Sequence, residues 1–273
     1  MYLDRDTASD EELVRHCSRS NPTRDVIHEL DGGLSVIRIS NDTVVKYGYG
    51  VAYEEFVSQQ NAYDLIDKNV IRVPRVHRFF TYMHIGYIVM EYMDGNTLSS
   101  DWDSLSCQVI ADVLAHFSGI RNEQPGPLSG GRACGLLWIE GDSISPTSSG
   151  DIERYFNTRQ LRCHDKLAIQ GHRFVLCHLD IAPRNIMRLK DGSFCLLDWA
   201  SAGFYPRFFE ICTLRLNAWT QVDFNSQVLC LLEGLSQDEE NQAQLLQKAY
   251  YLAQKYVYNL PRRKRKKANH NNI

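Results

Sequence analysis

A chain of 273 residues, 44% apolar and 11% aromatic, can fill a sizeable core as one large domain or two lobes without disulfide or metal staples. Its formal charge of −3 argues against a nucleic-acid-binding body, and its eight cysteines form no Cys-x-x-Cys pair. Most of them, such as Cys177, Cys195, Cys212 and Cys230, stand among apolar neighbours and read as buried free thiols in a reducing compartment, which argues against zinc and disulfide frameworks.

Met1-Tyr2-Leu3-Asp4-Arg5-Asp6 lacks the charged start and apolar stretch of a signal peptide, and no run of about 18 apolar residues occurs. A soluble protein of the cytoplasm, or of the nucleus given its basic end, is expected, with no membrane partner.

Ser9-Asp10-Glu11-Glu12 forms a capping box with an acidic first turn and predicts a short accessory helix from about Asp10 to Arg19. The period then changes to that of strands. Val26 to Leu30, Val36 to Ile39 and Thr43 to Lys46, separated by Asp31-Gly32-Gly33 and Asn41-Asp42, predict a three-stranded antiparallel meander. Lys46 ends an apolar, β-branched strand, where it either reaches a phosphate as a point charge on a long stem or lies exposed at the strand end. Gly32 and Gly33 permit close backbone approach to a nucleotide, but an ordinary hairpin uses the same residues.

Glu54 and Glu55 open a helix that continues through Gln59, Ala62, Tyr63 and Ile66, with Glu55, Gln59, Ala62 and Ile66 on one face. A carboxylate on the inward face can pair Lys46, whereas compensation of the helix dipole accounts for Glu54 without a partner. Val73 to Val76 and Phe79-Phe80 read as extended. Tyr87 to Met93 reads as a buried strand that Asp94-Gly95 breaks, a hinge whose exposed backbone groups suit an adenine edge.

Val109, Ile110, Val113, Leu114 and Phe117 mark the core face of a helix from Leu105 to Ile120, with His116 packed beside it. Pro125-Gly126-Pro127, Gly130-Gly131 and Ser143 to Gly150 read as loops, followed by a helix from Asp151 to about Arg162 and a buried strand Phe174 to Cys177.

That strand leads into His178-Leu179-Asp180-Ile181-Ala182-Pro183-Arg184-Asn185, and the apolar run Phe194-Cys195-Leu196-Leu197 then leads into Asp198. Pro183 favours extended backbone before it and Asp191-Gly192 marks a hairpin turn. Two carboxylates and an amide, at spacings of five and thirteen residues, are thus set on a loop and a strand end as hard oxygen donors. Such donors suit Mg²⁺, which binds through one or two carboxylates plus substrate phosphates, so phosphoryl transfer is the expected chemistry. The plain alternative is a satisfied loop in which Asp180 caps a turn and Asn185 bonds backbone.

Ala202 to Glu210 reads as an aromatic turn, followed by helices Phe224 to Leu235 and Asp238 to Tyr258. Pro261 to Lys267 carries six consecutive basic residues, either a solvated tail or a nuclear-import or polyanion-binding patch.

A lysine-bearing three-stranded meander, a helix with a glutamate, a buried strand into a hinge, then His-x-Asp-x-x-x-x-Asn and a later Asp: this order resembles a protein-kinase-like fold. More narrowly it resembles the aminoglycoside phosphotransferase/choline kinase family, in particular a fungal branch. Val44-Val45-Lys46-Tyr47-Gly48, Val89-Met90-Glu91-Tyr92, Pro125-Gly126-Pro127 with Gly130-Gly131, Cys177 through Asn185, Leu197-Asp198-Trp199 and Ala202 to Glu210 carry the resemblance, within residues 10–258.

The resemblance implies an α+β, bilobal architecture. A small N-terminal lobe of antiparallel sheet would span residues 1–93, a larger, mainly helical lobe 94–260, and a basic disordered tail 261–273. It also implies ATP or GTP with Mg²⁺ as cofactors and a small-molecule hydroxyl as acceptor. Lys46 would hold the nucleotide phosphates, fixed by Glu55. Asp180 would orient the acceptor hydroxyl and accept its proton, Asn185 would serve both the catalytic and the metal sets, Asp198 would bind Mg²⁺, and backbone near Glu91 to Met93 would receive adenine. His178 would brace the loop. An import receptor is the further partner that the basic tail suggests.

Three departures stand out. No full Gly-x-Gly-x-x-Gly loop joins the first strands, Leu179 stands where many members carry glycine, and Glu54 competes with Glu55 for Lys46. Glu140, Asp142, Asp151, Glu233, Asp238 and Glu239 make either an acidic wall for a polycationic acceptor or a solvated face. A catalytically silent nucleotide-binding scaffold is the competing function. A protein kinase fits less well, because the chain reaches a helix by about Phe209.

Overall fold

The computed structural model describes residues 3–31, 33–99, 101–139, 144–160, 164–217 and 222–259. Helix α1 (Asp10–Cys17) starts at the expected capping box: the Glu12 N–H donates to Ser9 Oγ at 3.3 Å and the Ser9 N–H to the Glu12 carboxylate at 2.8 Å. Strands β1 (Asp25–Glu29), β2 (Ser35–Arg38), β3 (Thr43–Gly48), β4 (Val76–Tyr82) and β5 (Ile85–Glu91) form one antiparallel sheet in the order β1-β2-β3-β5-β4. Leu13 and Cys17 of α1 share a core with Ile37, Val45, Phe80, Tyr87 and Val89. Helix α2 (Tyr53–Leu65) follows β3, and its Phe56 packs with Ile88, Val76, Phe79 and Met90 in a separate cluster.

This double coverage corrects the placement of Lys46 at a strand end. Strand β3 continues through Tyr47 and Gly48, which pair with Tyr87 and Gly86, so Lys46 lies in the middle of the central strand opposite Ile88. It is 8% exposed. A Cβ on Gly86 would fall 1.9 Å from the Val51 carbonyl, so only glycine lets the chain leave β3 this closely.

Asp94-Gly95, read as a break, instead begins another strand. β6 (Gly95–Thr97) pairs with β10 (Ile186–Leu189), which pairs in turn with β11 (Phe194–Leu196). A Cβ on Gly95 would lie 2.4 Å from the Arg188 carbonyl oxygen, which explains why glycine stands where the chain crosses onto this second sheet. A second crossing precedes it: the Arg72 N–H donates to Phe194 O at 2.8 Å and the Leu196 N–H to Arg72 O at 2.9 Å. Ala62, Ile66, Ile71 and Val73 accordingly pack with Ile186, Leu196 and Trp199.

The remainder is mainly helical. Helix α3 (Ser104–Phe117) buries Ile110, Val113, Leu114 and Phe117. Its cap, Asp103, accepts from the Ser106 N–H at 2.8 Å and also from Arg188 of β10 at 2.9 Å, which ties this helix to the hairpin. Short strands β7 (Arg121–Asn122) and β8 (Gly126–Pro127) join β9 (Phe174–Cys177) and β12 (Gly203–Tyr205) in the order β7-β9-β12-β8.

Helix α4 (Ser149–Asn157) starts earlier than expected because Ser148 accepts the Asp151 N–H. The region read as an aromatic turn is divided between β12 and α5 (Phe208–Leu216), since Tyr205, Phe208 and Phe209 are all buried and Tyr205 stacks on Phe209 at 5.2 Å. Helices α6 (Val222–Leu231) and α7 (Gln237–Asn259) complete the body, with Ala243, Leu246 and Ala249 of α7 packed on that aromatic core. This is the α+β, two-lobed arrangement expected. Among the described residues no helix is long and apolar enough to cross a membrane. The basic stretch 261–273 lies outside the described residues.

Gly95→Ala is expected to destabilise the chain by about 1–3 kcal/mol through overpacking against β10. Gly234→Ala, with nothing within 4 Å of the added carbon, should change stability by less than ~0.5 kcal/mol. Urea denaturation of both variants checks the contrast.

Candidate active site

Burying an ammonium is costly unless it is paired, and Lys46 is paired from both sides. Its Nζ lies 2.5 Å from Glu55 Oε1 and 3.4 Å from Asp198 Oδ1. Glu55, in the first turn of α2, shares its buried face with Gln59 and Ala62. Glu54 points elsewhere: a Cβ on Gly131 would meet its Cγ at 2.9 Å. The structure thus brings Glu55 to the lysine. Burial pulls the Lys46 ammonium toward losing its proton, but the charges of Asp198 and Glu55 outweigh this and leave its pKa above the ordinary lysine value. Burial in turn pushes the Glu55 carboxyl up, against the pull of Lys46.

The segment after β9 is held by a set of buried polar contacts. His178 is fully buried, and its ring lies edge-on to Trp199 at 4.7 Å. The Asp180 N–H donates to His178 Nδ1 at 3.2 Å, so Nε2 carries the proton and donates to Leu197 O at 3.0 Å. Burial lowers the imidazole pKa, which keeps the ring neutral. His178 is therefore a strut between the Asp180 loop and the strand leading to Asp198.

Leu179 has φ +63°, the left-handed region that favours glycine and that a leucine enters only at a cost. Such a conformation costs about 1–2 kcal/mol for an L-residue. Two contacts offset it: the Leu179 side chain is buried in the core that holds Tyr205 and Phe209, and its N–H donates to the Glu210 carboxylate. Glu210 Oε2 accepts from the His178 N–H at 2.6 Å and the Leu179 N–H at 3.0 Å.

In the sequence, Glu210 stands out only as the end of an aromatic stretch. The available signal was a lone acid between Phe208-Phe209 and Ile211-Cys212, where burial obliges it to find donors. Burial pushes its carboxyl up to about 7, against the lowering effect of the two N–H bonds.

The turn Pro183–Asn185 brings two side chains back onto Asp180. Arg184 Nη2 donates to Oδ1 at 2.6 Å and to Oδ2 at 2.8 Å, while Asn185 Nδ2 donates to Oδ2 at 2.8 Å and to Asp180 O at 2.9 Å. The plain loop reading thus covers only part of the contacts. With its Nδ2 so engaged, Asn185 has an Oδ1 that accepts no hydrogen bond among the described residues. The Leu197 N–H donates to Asn185 O at 2.8 Å, which sets Asn185 beside the segment ending in Asp198. The Asp198 side chain is 41% exposed, and only its Oδ1 contacts Lys46. Among the described residues no three His, Cys, Asp or Glu side chains cluster as a metal cage.

At the crossing between sheets, the Glu91 N–H donates to Arg75 O at 2.8 Å, and the Glu91 carboxylate accepts from Arg72 and from the Arg75 N–H. The Met93 N–H makes no hydrogen bond among the described residues, and the Met93 side chain packs with Leu189 and Cys195. In the first hairpin the Leu30 N–H donates to Leu34 O and the Gly33 N–H to Leu30 O; Gly32 lies outside the described residues.

Of the described acidic residues, Glu233, Asp238 and Glu239 line one cavity, but together with Arg121, Arg173 and Arg207, so that its wall is of mixed sign rather than acidic, and Asp151 stands apart from it. Asp151 bonds Ser148 and Arg154 beside its own helix start, Glu239 bonds Arg207 at 2.7 Å, and Asp238 lies 3.2 Å from His172. Glu140 and Asp142 lie outside the described residues.

Between its ordinary value of 4.5 and about 7, the folded chain holds a proton on Glu210 that the unfolded chain has released, so this group withdraws stability as pH rises through that window. Relative to Glu210→Gln, the wild type should lose about 3 kcal/mol between pH 4.5 and pH 7.5. Parallel stability profiles in urea titrations at each pH would contradict this.

A sequence profile of the phosphotransferase enzyme family matches residues 38–246. No curated protein sequence matches the chain. Among solved structures, the fold is similar to a thermostable mutant of aminoglycoside phosphotransferase APH(4)-Ia in its apo form, at 11% identity over 91% of each chain with a TM-score of 0.57. It is also similar to a putative fructosamine-3-kinase from Haemophilus somnus 129PT, at 13% identity over 87% of each chain and TM-score 0.56. Choline kinase LicA from Streptococcus pneumoniae aligns at 16% identity over 91% of each chain, TM-score 0.52. With the profile spanning well over half of its length, including Lys46, the Asp180 loop and Asp198, the chain belongs to the phosphotransferase enzyme family.

Proposed function

We propose that the chain is a Mg²⁺-dependent phosphotransferase that moves the γ-phosphoryl group of ATP or GTP to a hydroxyl of a small molecule. One observation carries the reading: Lys46, paired with Glu55, reaches Asp198, while the Asp180 loop is fastened to the strand before Asp198 by His178 and by the Asn185 carbonyl. Positioning and charge neutralisation are what a loose phosphoryl transition state asks of a protein. Solved structures of similar fold hold APH(4)-Ia mutants with AMP-PNP or ADP together with hygromycin B, which supports a nucleotide and a small-molecule acceptor as the substrate classes.

The geometry supports the following roles. Lys46 contacts the nucleotide phosphates. The Met93 N–H and neighbouring backbone from Glu91 onward receive the adenine edge. Asn185 Oδ1 and Asp198 Oδ2, hard donors left open by their other contacts, would hold Mg²⁺, whose ligand preference is met by a few protein oxygens completed by phosphate. When bound there, Mg²⁺ would supply charge neutralisation to the nucleotide phosphates. The acceptor oxygen forms its bond to the γ-phosphorus as the bridging bond to the β-phosphate breaks. Its proton passes to Asp180 and the nucleoside diphosphate leaves.

His178, neutral and doubly bonded, takes no part in proton transfer. Cys177, Cys195 and Cys212 are buried free thiols as expected, whereas Cys230, on the outer side of α6, is exposed; free thiols fit a reducing compartment, cytoplasm or nucleus, and the basic stretch remains the candidate contact for an import receptor.

Purified protein with Mg²⁺ and ATP or GTP should phosphorylate a member of a panel of hydroxylated metabolites and aminoglycosides. Asp180→Asn should reduce kcat by roughly 10²- to 10⁴-fold, and Asp198→Ala should abolish the thermal stabilisation given by Mg²⁺–nucleotide. Unchanged turnover in Asp180→Asn would remove its assigned role. Stabilisation by nucleotide without turnover of any acceptor would favour the silent scaffold.

A further inference from the structure

Arg184 makes a contact that none of these roles uses. It approaches Asp180 end-on: the single nitrogen Nη2 serves both carboxylate oxygens, at 2.6 and 2.8 Å. An arginine that only stapled the loop would be expected to lay two nitrogens against the carboxylate in the fork geometry that suits it best. Here Nε and Nη1 make no hydrogen bond among the described residues, and the side chain is 52% exposed.

The loop does not depend on it, because Asp180 is already positioned by Asn185 Nδ2, by its own N–H on His178 and, through Leu179, by Glu210. The two oxygens of Asp180 are also unequal. Oδ2 accepts from both Arg184 and Asn185, whereas Oδ1 accepts from Arg184 alone and keeps a lone pair in hand.

Charge accounts for the arrangement. A γ-phosphoryl group delivered to an acceptor beside Asp180 brings further negative charge next to Asp180 and Asp198, while Lys46 is engaged by Glu55 and Asp198. We infer that Arg184 is a substrate-contacting residue of the transfer site: Nη2 stays on Asp180 and neutralises it, an N–H group left free on Nη1 or Nε takes a γ-phosphoryl oxygen, and Asp180 Oδ1 receives the acceptor hydroxyl. This inference rests on the phosphotransfer reading above. The hydroxyl oxygen bonds to phosphorus, the bridging bond to the diphosphate breaks, and the proton ends on Oδ1, with Arg184 changing no bond of its own.

The test compares Mg²⁺–AMP-PNP with Mg²⁺–ADP by isothermal titration into the full chain, as wild type, Arg184→Met and Arg184→Lys, with folding checked by Tm. Arg184→Met should weaken AMP-PNP by about tenfold or more while leaving ADP within about twofold, because only the γ-phosphate is lost as a partner. Arg184→Lys should recover part of the AMP-PNP affinity through its charge, yet keep a low kcat, since a compact ammonium cannot span both anions. Equal binding of both nucleotides by wild type and Arg184→Met, or an equal loss for both, would overturn the role of Arg184 while leaving the phosphotransfer reading intact. A wild type that binds neither nucleotide would overturn both.

Discussion

The buried ammonium of Lys46 constrains the whole molecule. Removing one partner of a buried ion pair costs about 3–5 kcal/mol, because the other charge is left in a medium that cannot solvate it. Lys46 stands on the central strand of one lobe, Glu55 on the helix beside it, and Asp198 at the end of a strand segment in the other lobe. Satisfying the lysine therefore draws α2 toward the sheet and holds the Asp198 segment to both. The core continues across the same junction, where Ala62 of α2 and Ile66 just after it pack with Trp199, the residue that follows Asp198.

A second buried charge plays the matching part on the far side of the site. Glu210 is set by α5 among aromatic side chains and accepts from the N–H groups of His178 and Leu179. By taking them it holds Leu179 in a left-handed conformation and so turns Asp180 out of the strand direction. His178 then fixes the distance between this turn and the strand leading to Asp198 through one bond from each ring nitrogen. The candidate proton acceptor and the candidate metal ligands are thus oriented by buried polar groups that never need to meet a substrate, as a rigid site requires.

Much of this was legible in local signals. The capping box at Ser9, the Asp191-Gly192 turn and the His178-to-Asn185 spacing each reflect short-range geometry, and each marks a real feature. What stayed hidden depended on distant chain. Lys46 looked like a strand end because the pairing of Tyr47 and Gly48 with Tyr87 and Gly86 has no local signature. Asp94-Gly95 looked like a break because β6 finds its partner strand more than ninety residues later, in β10.

Tyr205, Phe208 and Phe209 looked like a turn because Gly203 and Pro206 dominate the local pattern, whereas burial decides the fold there. Glu210 and Arg184 escaped for the same reason in the site itself. A carboxylate's donors and an arginine's direction appear only once the backbone has placed them.

A single measurement bears most directly on whether Asn185 and Asp198 form a site for metal and nucleotide phosphates: electron paramagnetic resonance of Mn²⁺, standing in for Mg²⁺, titrated into the chain with AMP-PNP. The expected result is protein-bound Mn²⁺ in the wild type, weakened by about tenfold or more in both Asn185→Ala and Asp198→Asn. Equal Mn²⁺–AMP-PNP binding by the wild type and both variants would contradict the assignment.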